Sequence, residues 1–363
     1  MRKLNDICNV ITCGVAKRPE YYDDGIPFLS SKNVKSDRFL LNDYKYVSKE
    51  DFLSLTKNNK PEKGDILYTR VGSFGEAAVI DFDFDFAIFV SLTLIKPKND
   101  IVLSRYLMHY LNSPKIKHLA KNSTSGVGVQ NLNVKVVREF PIQLPPLDQQ
   151  KKIATILDAA DAYRQKTKAL IEKYDELTQS LFLELFGDPV RNPKDWNEVI
   201  FTEVLVLRRG FDLPRQDRIK GEYPIMASNG ILDWHNEFKV EGPGIVTGRS
   251  GTLGKVHYIE GDYWPLNTAL YSQKLNGNNP IYLIYLIRNF RVERFSRGAG
   301  VPTLNRNLVH AETIMTVPIE LQNQFADRVQ AIEAQKAQAK ASLAQAEDLF
   351  NSLLQRAFKG ELV

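Results

Sequence analysis

The stretch LPPLDQQKKIATILDAADAYRQKTKALIEKYDELTQSLFLELFGDP, residues 144–189, decides the fold of this chain. Apolar residues recur in it every seven positions in two columns, a spacing that predicts one long helix with the seam of a coiled coil. Pro146 ends the preceding segment, Asp148 is the predicted N-cap, and Gly187 with Pro189 is the predicted stop. The first column is Ile153, Ala160, Thr167, Tyr174 and Leu181, and the second is Ile156, Tyr163, Leu170 and Leu177.

A related stretch returns at the end of the chain. LTQSLFLELF at residues 177–186 aligns with LFNSLLQRAF at residues 349–358, and the same offset of 172 aligns GVGVQNL with GAGVPTL. Upstream, SRYLMHYL, RVGSFG and IPFLSSKNV match PIYLIYLI, RSGTLG and YPIMASNGI in the same order. Such an ordered set of matches indicates duplication of one globular part followed by one long helix. The largest insertion, 18 residues in the first copy between Val34 and Arg70, is expected to be a surface loop.

The duplication predicts an α+β fold with two tandem, mixed α/β domains separated by long spacer helices. The domains are residues 1–145 and 189–317, and the helices are residues 146–188 and 318–363. Each helix has an apolar stripe that needs a partner, so the two helices are expected to pair antiparallel as a coiled coil with pseudo-two-fold symmetry. About 35 helical residues give a rod on the order of 50 Å. Such a rod would act as a spacer.

The composition of the 363 residues is that of a globular protein, with 43% hydrophobic and 25% charged residues. No apolar run is long enough to span a bilayer and no leader is recognised at Met1, so we expect a cytoplasmic chain without a membrane partner. Lys and Arg exceed Asp and Glu by 48 to 43, and the surplus lies in the two globular parts. This mildly favours a polyanionic partner. Cys8, Cys13 and the five scattered histidines predict no metal site.

Catalytic motifs are missing from the sequence. An adenine methyltransferase needs Asn or Asp before Pro-Pro and an aromatic residue, whereas the Pro-Pro here, at Pro145, follows leucine. GRSGTLGK, residues 248–255, resembles a phosphate-binding loop but has five residues between its outer glycines, and Val256 follows the lysine. We therefore predict no catalytic residue, no metal and no cofactor.

The helical stretches carry a family resemblance. LPPLDQQKKIATILD, LTQSLFLELFGDP and the terminal AFKGEL, residues 357–362, resemble the conserved helical regions of the specificity subunit of type I restriction-modification enzymes. The two globular parts resemble the target recognition domains of that subunit, and the resemblance covers essentially the whole chain. One departure is that the second helical region opens VPIELQNQ where the first has LPPLDQQ.

The resemblance implies a non-catalytic subunit that reads an asymmetric, bipartite sequence in double-stranded DNA, one half per domain. Its helices would dock two adenine methyltransferase subunits, which can recruit two restriction and translocation subunits. An alternative is a structural adaptor whose duplicated domains bind proteins along a coiled-coil spacer, without a DNA role. Binding that weakens steeply with salt would favour the DNA-reading subunit.

Polar and basic residues in the repeated loops are the candidate DNA contacts. RVGSFG and RSGTLG place Arg70 and Arg249 at the same position of each copy, where arginine can read guanine or bind phosphate, or can play a structural role. SSKNV and ASNGI place asparagines at a turn or facing adenine. The loops KNSTSGVGVQN and SRGAGVPTLN are expected to follow the phosphates. The full set is Lys32, Asn33, Arg70, Ser73, Lys121, Asn122, Gln130, Asn229, Arg249, Thr252 and Arg297.

Overall fold

A computed structural model describes residues 2–15, 19–124, 130–298 and 302–362. The chain divides into two compact units. The first unit combines Met1–Lys166 with Ser342–Val363, and the second is Thr167–Ala341. Each unit contains one globular part and segments of two long helices.

The globular part of the first unit mixes short strands and helices. A four-stranded sheet has the order β2-β10-β7-β8, and a three-stranded sheet has the order β6-β3-β9. The elements are β1 Arg2–Lys3, α1 Leu4–Ile7, β2 Cys8–Cys13, β3 Ile26–Leu29, β4 Val34–Lys35, β5 Arg38–Phe39, β6 Lys45–Val47, α2 Lys49–Thr56, β7 Ile66–Thr69, β8 Ala77–Val79, β9 Ala87–Ile88, β10 Leu92–Pro97, α3 Ser104–Leu111, α4 Pro114–Asn122, α5 Val134–Arg138 and β11 Pro141–Ile142.

The globular part of the second unit repeats this topology. Its four-stranded sheet has the order β13-β19-β16-β17 and its three-stranded sheet the order β15-β14-β18. The elements are β12 Glu198–Ile200, α7 Phe201–Val204, β13 Val206–Arg209, β14 Tyr223–Ala227, β15 Gly230–His235, β16 Gly244–Gly248, β17 Val256–Ile259, β18 Trp264–Pro265, β19 Ala269–Lys274, α8 Pro280–Phe290, β20 Ser296–Arg297, β21 Thr303–Leu304, α9 Arg306–His310 and β22 Thr313–Met315.

The local sequence explains the main elements of both cores. The run LTLIKP forms β10, whose first four side chains are all buried between two neighbouring strands. PIYLIYLIRNF forms α8, since Asn279 caps its first turn, Pro280 fits the first helical position, and the apolar side chains form one buried face. In the first unit SRYLMHYL forms the equivalent helix α3. The predicted mixed α/β character of each domain is confirmed.

The insertion in the first copy is not only a surface loop. The segment that holds it, from Val34 to Arg70, contains the hairpin β4–β5, strand β6, whose counterpart in the second copy is β15, and helix α2. Ser48 caps α2 by accepting a hydrogen bond from the backbone N of Asp51. Phe52 of α2 is buried in a small cluster with Phe28 and Val47. The expectation of a plain loop was wrong because polar residues in this segment conceal a few well-spaced apolar ones that anchor it to the domain.

The two long helices are α6, Leu147–Phe186, and α10, Ile319–Lys359. In the second unit Asp175 forms an ion pair with Lys336, and the rings of Phe186 and Phe325 are 5.3 Å apart, so the helix segments run antiparallel there. In the first unit the start of α6 shares a hydrophobic core with the end of α10. The prediction of two long helices in antiparallel pairing is therefore confirmed within each unit.

The buried face of α6 differs from the predicted seam. Ile153 is buried and so is Thr167 of the first column, but Tyr163, Leu170 and Leu177 of the second column are 42–53% exposed. The buried positions lie three residues before the first column rather than three after it, and several are polar. They include Gln150, Leu157, Thr178 and, nearby, Asp161. Apolar character alone thus assigned the second column to the wrong face.

The ends of α6 match the prediction at one terminus. Gly187 closes the helix with a φ of 80°, and its N–H donates to the carbonyl of Leu183. Asp148 is not the N-cap, because the helix already begins at Leu147 and Pro146 supplies the first acceptor carbonyl. Among the described residues, no helix is both long and apolar enough to cross a membrane.

Candidate nucleic-acid interface

The two glycine loops are held in the same way in both domains. In the first, the backbone N of Leu132 donates to the carbonyl of Arg70 at 2.8 Å. In the second, the N of Leu304 donates to the carbonyl of Arg249 at 2.7 Å. Each loop is thereby fixed against the segment that precedes α5 or α9. The sequence correctly placed the two arginines at equivalent positions.

The Arg70 side chain is buried in the first domain and hydrogen-bonded there. Its side chain is buried, and all three guanidinium nitrogens have protein acceptors. Nε donates to the carbonyl of Leu132 at 3.0 Å, Nη1 to that of Val90 at 2.8 Å, and Nη2 to Oδ1 of Asn131 at 2.9 Å. These bonds favour the structural alternative that the sequence left open for this residue.

Arg249 has more freedom than its counterpart. It is half-buried, and among the described residues its guanidinium makes one hydrogen bond, from Nη1 to the carbonyl of Asn267 at 3.2 Å. The rest of the side chain lines a cavity of about 410 Å³, the arginine pocket. Its walls are Arg209, Arg249, Leu270, Arg297, Thr303, Leu304, Asn305, Arg306 and Asn307.

The arginine pocket joins two predicted residues, Arg249 and Arg297, to two that the sequence analysis missed. Arg209 ends strand β13, and Arg306 begins helix α9. No carboxylate is among the lining residues. Within the described part of the chain, Arg209 alone of the four arginines forms an ion pair, at 3.4 Å to exposed Asp212. The pocket is therefore strongly cationic.

The first domain lacks the Arg209 charge. Arg209 lies opposite Leu270 across the β13–β19 pair, as Cys13 lies opposite Thr93 across β2–β10. Leu270 and Thr93 face the residues two positions before Arg249 and Arg70, respectively, so the two registers correspond. Cys13 therefore stands where the second domain has arginine.

The first domain also lacks the Arg306 charge. Asn133 and Asn305 are equivalent N-caps, because each side chain accepts a hydrogen bond from the backbone N two residues on. The next residue is Val134 in the first domain and Arg306 in the second. Comparing the aligned repeats at this position, rather than only their matching residues, would have identified Arg306.

The asparagines of the repeated turns have different roles. Asn33 is buried: its Oδ1 accepts from the backbone N of Ser30, and its Nδ2 donates to the carbonyls of Leu40 and Asp43. It therefore holds its own turn together. Asn229 is exposed between β14 and β15. Lys32 is exposed and forms an ion pair with Asp43 at 2.9 Å.

The remaining predicted contacts are distributed along the surface of their domains. Ser73, Lys121, Asn122, Gln130 and Arg297 are exposed, and Thr252 is half-buried. Asn122 forms a 2.9 Å hydrogen bond with His118. The predicted phosphate-following loops lie partly outside the described residues, at positions 125–129 and 299–301.

A polar cluster in the first unit was not anticipated. His109 Nε2 lies 2.6 Å from an oxygen of Asp158, and Arg105 bridges Asp158 and Asp37. Burial raises the pKa of the Asp158 carboxyl, but the hydrogen bonds from His109 and Arg105 outweigh it and hold that pKa below its usual value. The cluster has the donor types of a metal site. The Arg105 guanidinium already pairs with both carboxylates, so we interpret the cluster as a structural contact between α3 and α6.

Two buried glutamines attach the long helices to the globular parts. Oε1 of Gln150 accepts from the backbone N of Leu103, and its Nε2 donates to the carbonyls of Ile101 and Pro145. Gln322 makes the equivalent bonds at the start of α8 and to Val317. The first turns of α6 and α10 are also alike, despite the different sequences LPPLDQQ and VPIELQNQ.

A family model described as "Type I restriction modification DNA specificity domain" matches residues 1–174 and 193–347. The chain belongs to this family. The two matches correspond to the two copies of the repeat, and the suspected type I specificity-subunit resemblance is confirmed.

Individual relatives are distant. The EcoBI specificity subunit of Escherichia coli is 26% identical over half of this chain, and the match covers 40% of that protein. The EcoKI specificity subunit of E. coli K12 is 20% identical, with 94% of this chain and 83% of the relative covered. The crystal structure of the type I S subunit from M. genitalium has the same fold, with a TM-score of 0.62 at 17% identity over 98% of this chain and 95% of that one.

Proposed function

We propose that this chain is the non-catalytic DNA-recognition subunit of a type I restriction-modification system. It reads an asymmetric, bipartite site, with one half contacted by each domain, and it acts on DNA in the cytoplasm. Residues 1–145 and 189–317 form the readers, and residues 146–188 and 318–363 form the spacers. Membership of a family of DNA specificity domains supports this function over the protein-adaptor alternative.

The observation that carries the proposal is a shared scaffold with unlike side chains. Both domains have the same strand order and the same hydrogen-bonded loop junction. Over that junction, the first domain presents Val134 and a satisfied Arg70, whereas the second presents Arg306 and a freer Arg249. Since sequence is read by positioned side chains, two such surfaces suit two different half-sites.

We propose that DNA contacts come mainly from the exposed and half-buried candidates. In the first domain these are Lys32, Ser73, Lys121, Asn122 and Gln130, with Arg70 and Asn33 acting through the loops that they hold. In the second domain they are Asn229, Thr252, Arg249 and Arg297, joined by Arg209 and Arg306.

The long helices would serve as the platform for partners. Leu170 and Leu177 of α6 are 42% and 51% exposed, although they lie on a helix otherwise rich in charge. Exposed apolar residues in register suit a partner surface. We propose that two adenine methyltransferase subunits dock on the helices, and that two restriction and translocation subunits join them.

Selection from a random duplex library by the full-length chain, with its methyltransferase partner, would test the function. We expect an enriched motif of two specified blocks separated by an unread gap of fixed length, with affinity that falls steeply with salt. A matched selection with the methyltransferase alone is the control. Enrichment of no motif, or of one contiguous block, would contradict the proposal.

A further inference from the structure

We propose that the arginine pocket seats a backbone phosphate of the DNA, so that the second domain carries an electrostatic grip that the first domain lacks. The inference rests on the proposed function, because it names the chemical group that this part of the reader binds. The ligand is a phosphodiester flanked by its sugars rather than the edge of a base.

The positive charge of the arginine pocket favours an anion. Four arginines line one cavity, and its described lining offers no carboxylate to compensate their charge. Like charges brought together in this way repel one another, so an anion bound among them is stabilised by several attractions at once. Within the described part of the chain, the four arginines form one ion pair, from Arg209 to Asp212 at 3.4 Å, and both of its side chains are exposed.

The arginines of the pocket also have unused hydrogen-bond donors. Arg249 uses one N–H on Asn267, and the guanidinium groups of Arg297 and Arg306 donate no hydrogen bond to a described residue. In the first domain the equivalent Arg70 is buried, and each of its three guanidinium nitrogens already donates to a protein oxygen. Unused guanidinium donors are suited to phosphate oxygens, which they can bind in bidentate geometry.

Shape favours a phosphate over a base edge. The arginines come from separate places in the fold: the end of β13, the turn after β16, strand β20 and helix α9. They converge on a concave surface. A base edge lies inside a groove and is read by a side chain that projects into it, whereas a phosphate stands out from the duplex and can enter a concavity.

Salt dependence of binding to one fixed duplex provides the test. We compare the wild-type chain with Arg306→Gln and Arg297→Gln, using Arg328→Gln on the exposed face of α10 as the charge-matched control. Loss of one phosphate contact should reduce the magnitude of the slope of log Kobs against log salt by about 0.9. We expect that reduction in both pocket variants, an unchanged slope in the control, and an unchanged selected motif in all three.

Neutral methylphosphonate linkages, placed one at a time along the duplex, locate the group. One position beside the second half-site should weaken wild-type binding and leave Arg306→Gln unaffected. An altered base preference with an unchanged slope would identify a guanine reader and overturn the inference. Equal slopes for wild type and both pocket variants would also overturn it. Failure of the wild-type chain to bind any duplex would instead reject the proposed function, and Arg297→Gln, at an exposed position, guards against misfolding of the other variant.

Discussion

Replacing Gln322 with leucine should destabilise the second unit specifically. The side chain is 1% exposed and makes three hydrogen bonds. Its Oε1 accepts from the backbone N of Asn279 at 2.9 Å, and its Nε2 donates to the carbonyl of Val317 and to Oδ1 of Asn278, each at 2.8 Å. Leucine has nearly the same size, so the change removes these bonds without opening a large cavity.

The expected loss follows from the partners left behind. The backbone N of Asn279 and the carbonyl of Val317 would be buried without a partner, and each such group costs about 1–3 kcal/mol. The Asn278 side chain can turn away, so we count only the two backbone groups. The free energy of unfolding of the second unit should therefore fall by about 2–6 kcal/mol, which corresponds to a urea midpoint lower by about 1 M or more.

Tryptophan fluorescence during urea unfolding measures this directly, because Trp196, Trp234 and Trp264 are the only tryptophans in the sequence and all lie in the second unit. Gln324→Leu, two residues away and exposed, is the matched control and should leave the midpoint unchanged. Gln150→Leu makes the equivalent change in the first unit and should lower the circular dichroism midpoint more than the fluorescence midpoint. If the urea midpoint of Gln322→Leu shifts by less than about 0.3 M, as in the control, then Gln322 does not stabilise the attachment of α10 to the globular part.

Two further predictions concern the loop arginines and pH. Arg70→Ala should lower the free energy of unfolding by about 3 kcal/mol through its lost buried hydrogen bonds and leave the salt slope of DNA binding unchanged, whereas Arg249→Ala should lower that slope by about 0.9; the reverse pattern would contradict the roles assigned here. Burial and the adjacent arginine lower the pKa of His310, whose Nε2 accepts from the backbone N of Leu207 at 3.1 Å. The unfolded chain therefore binds this proton more readily, so the stability gained from neutral His310 is complete above about pH 6.5 and is lost as the pH falls below it. Fluorescence-monitored urea midpoints at pH 7.5 and 5.5 should differ less for His310→Gln than for wild type or for the exposed control His118→Gln.

Much of the fold could be predicted because the sequence contains two copies of the same unit. The aligned loops and the heptad column through Ile153 could be predicted because the same backbone features occur in both copies of the repeat. The second seam column failed because burial in α6 follows partners as well as apolarity. Thr178 is buried with its hydroxyl donating to the carbonyl of Tyr174, and Asp161 pairs with Arg164, while Leu177 faces outward. Polar residues whose hydrogen bonds or ion pairs are made locally can be buried, and a heptad pattern of apolar residues does not show which ones these are.

The site was predicted only in part, because residues far apart in the sequence form it. Arg209 and Arg306 are 97 residues apart in the sequence, and they line the same pocket only because α9 packs on β13 in the folded domain. The difference between Arg70 and Arg249 is equally tertiary. One has Asn131 Oδ1 as an acceptor, and the aligned position in the other domain is Thr303, so the same residue type is tied in one copy and freer in the other.

The division of α6 and α10 between the units bears on the order in which the protein can be made. The second unit is one continuous stretch of chain, whereas the first needs residues 342–363, including Phe358 against Tyr106 and Tyr110. On the ribosome, the amino-terminal globular part therefore emerges first and completes its core last, after the whole of the other unit has been synthesised. Its unfinished apolar surface is exposed throughout that interval, when such surface is open to aggregation or to binding by a chaperone.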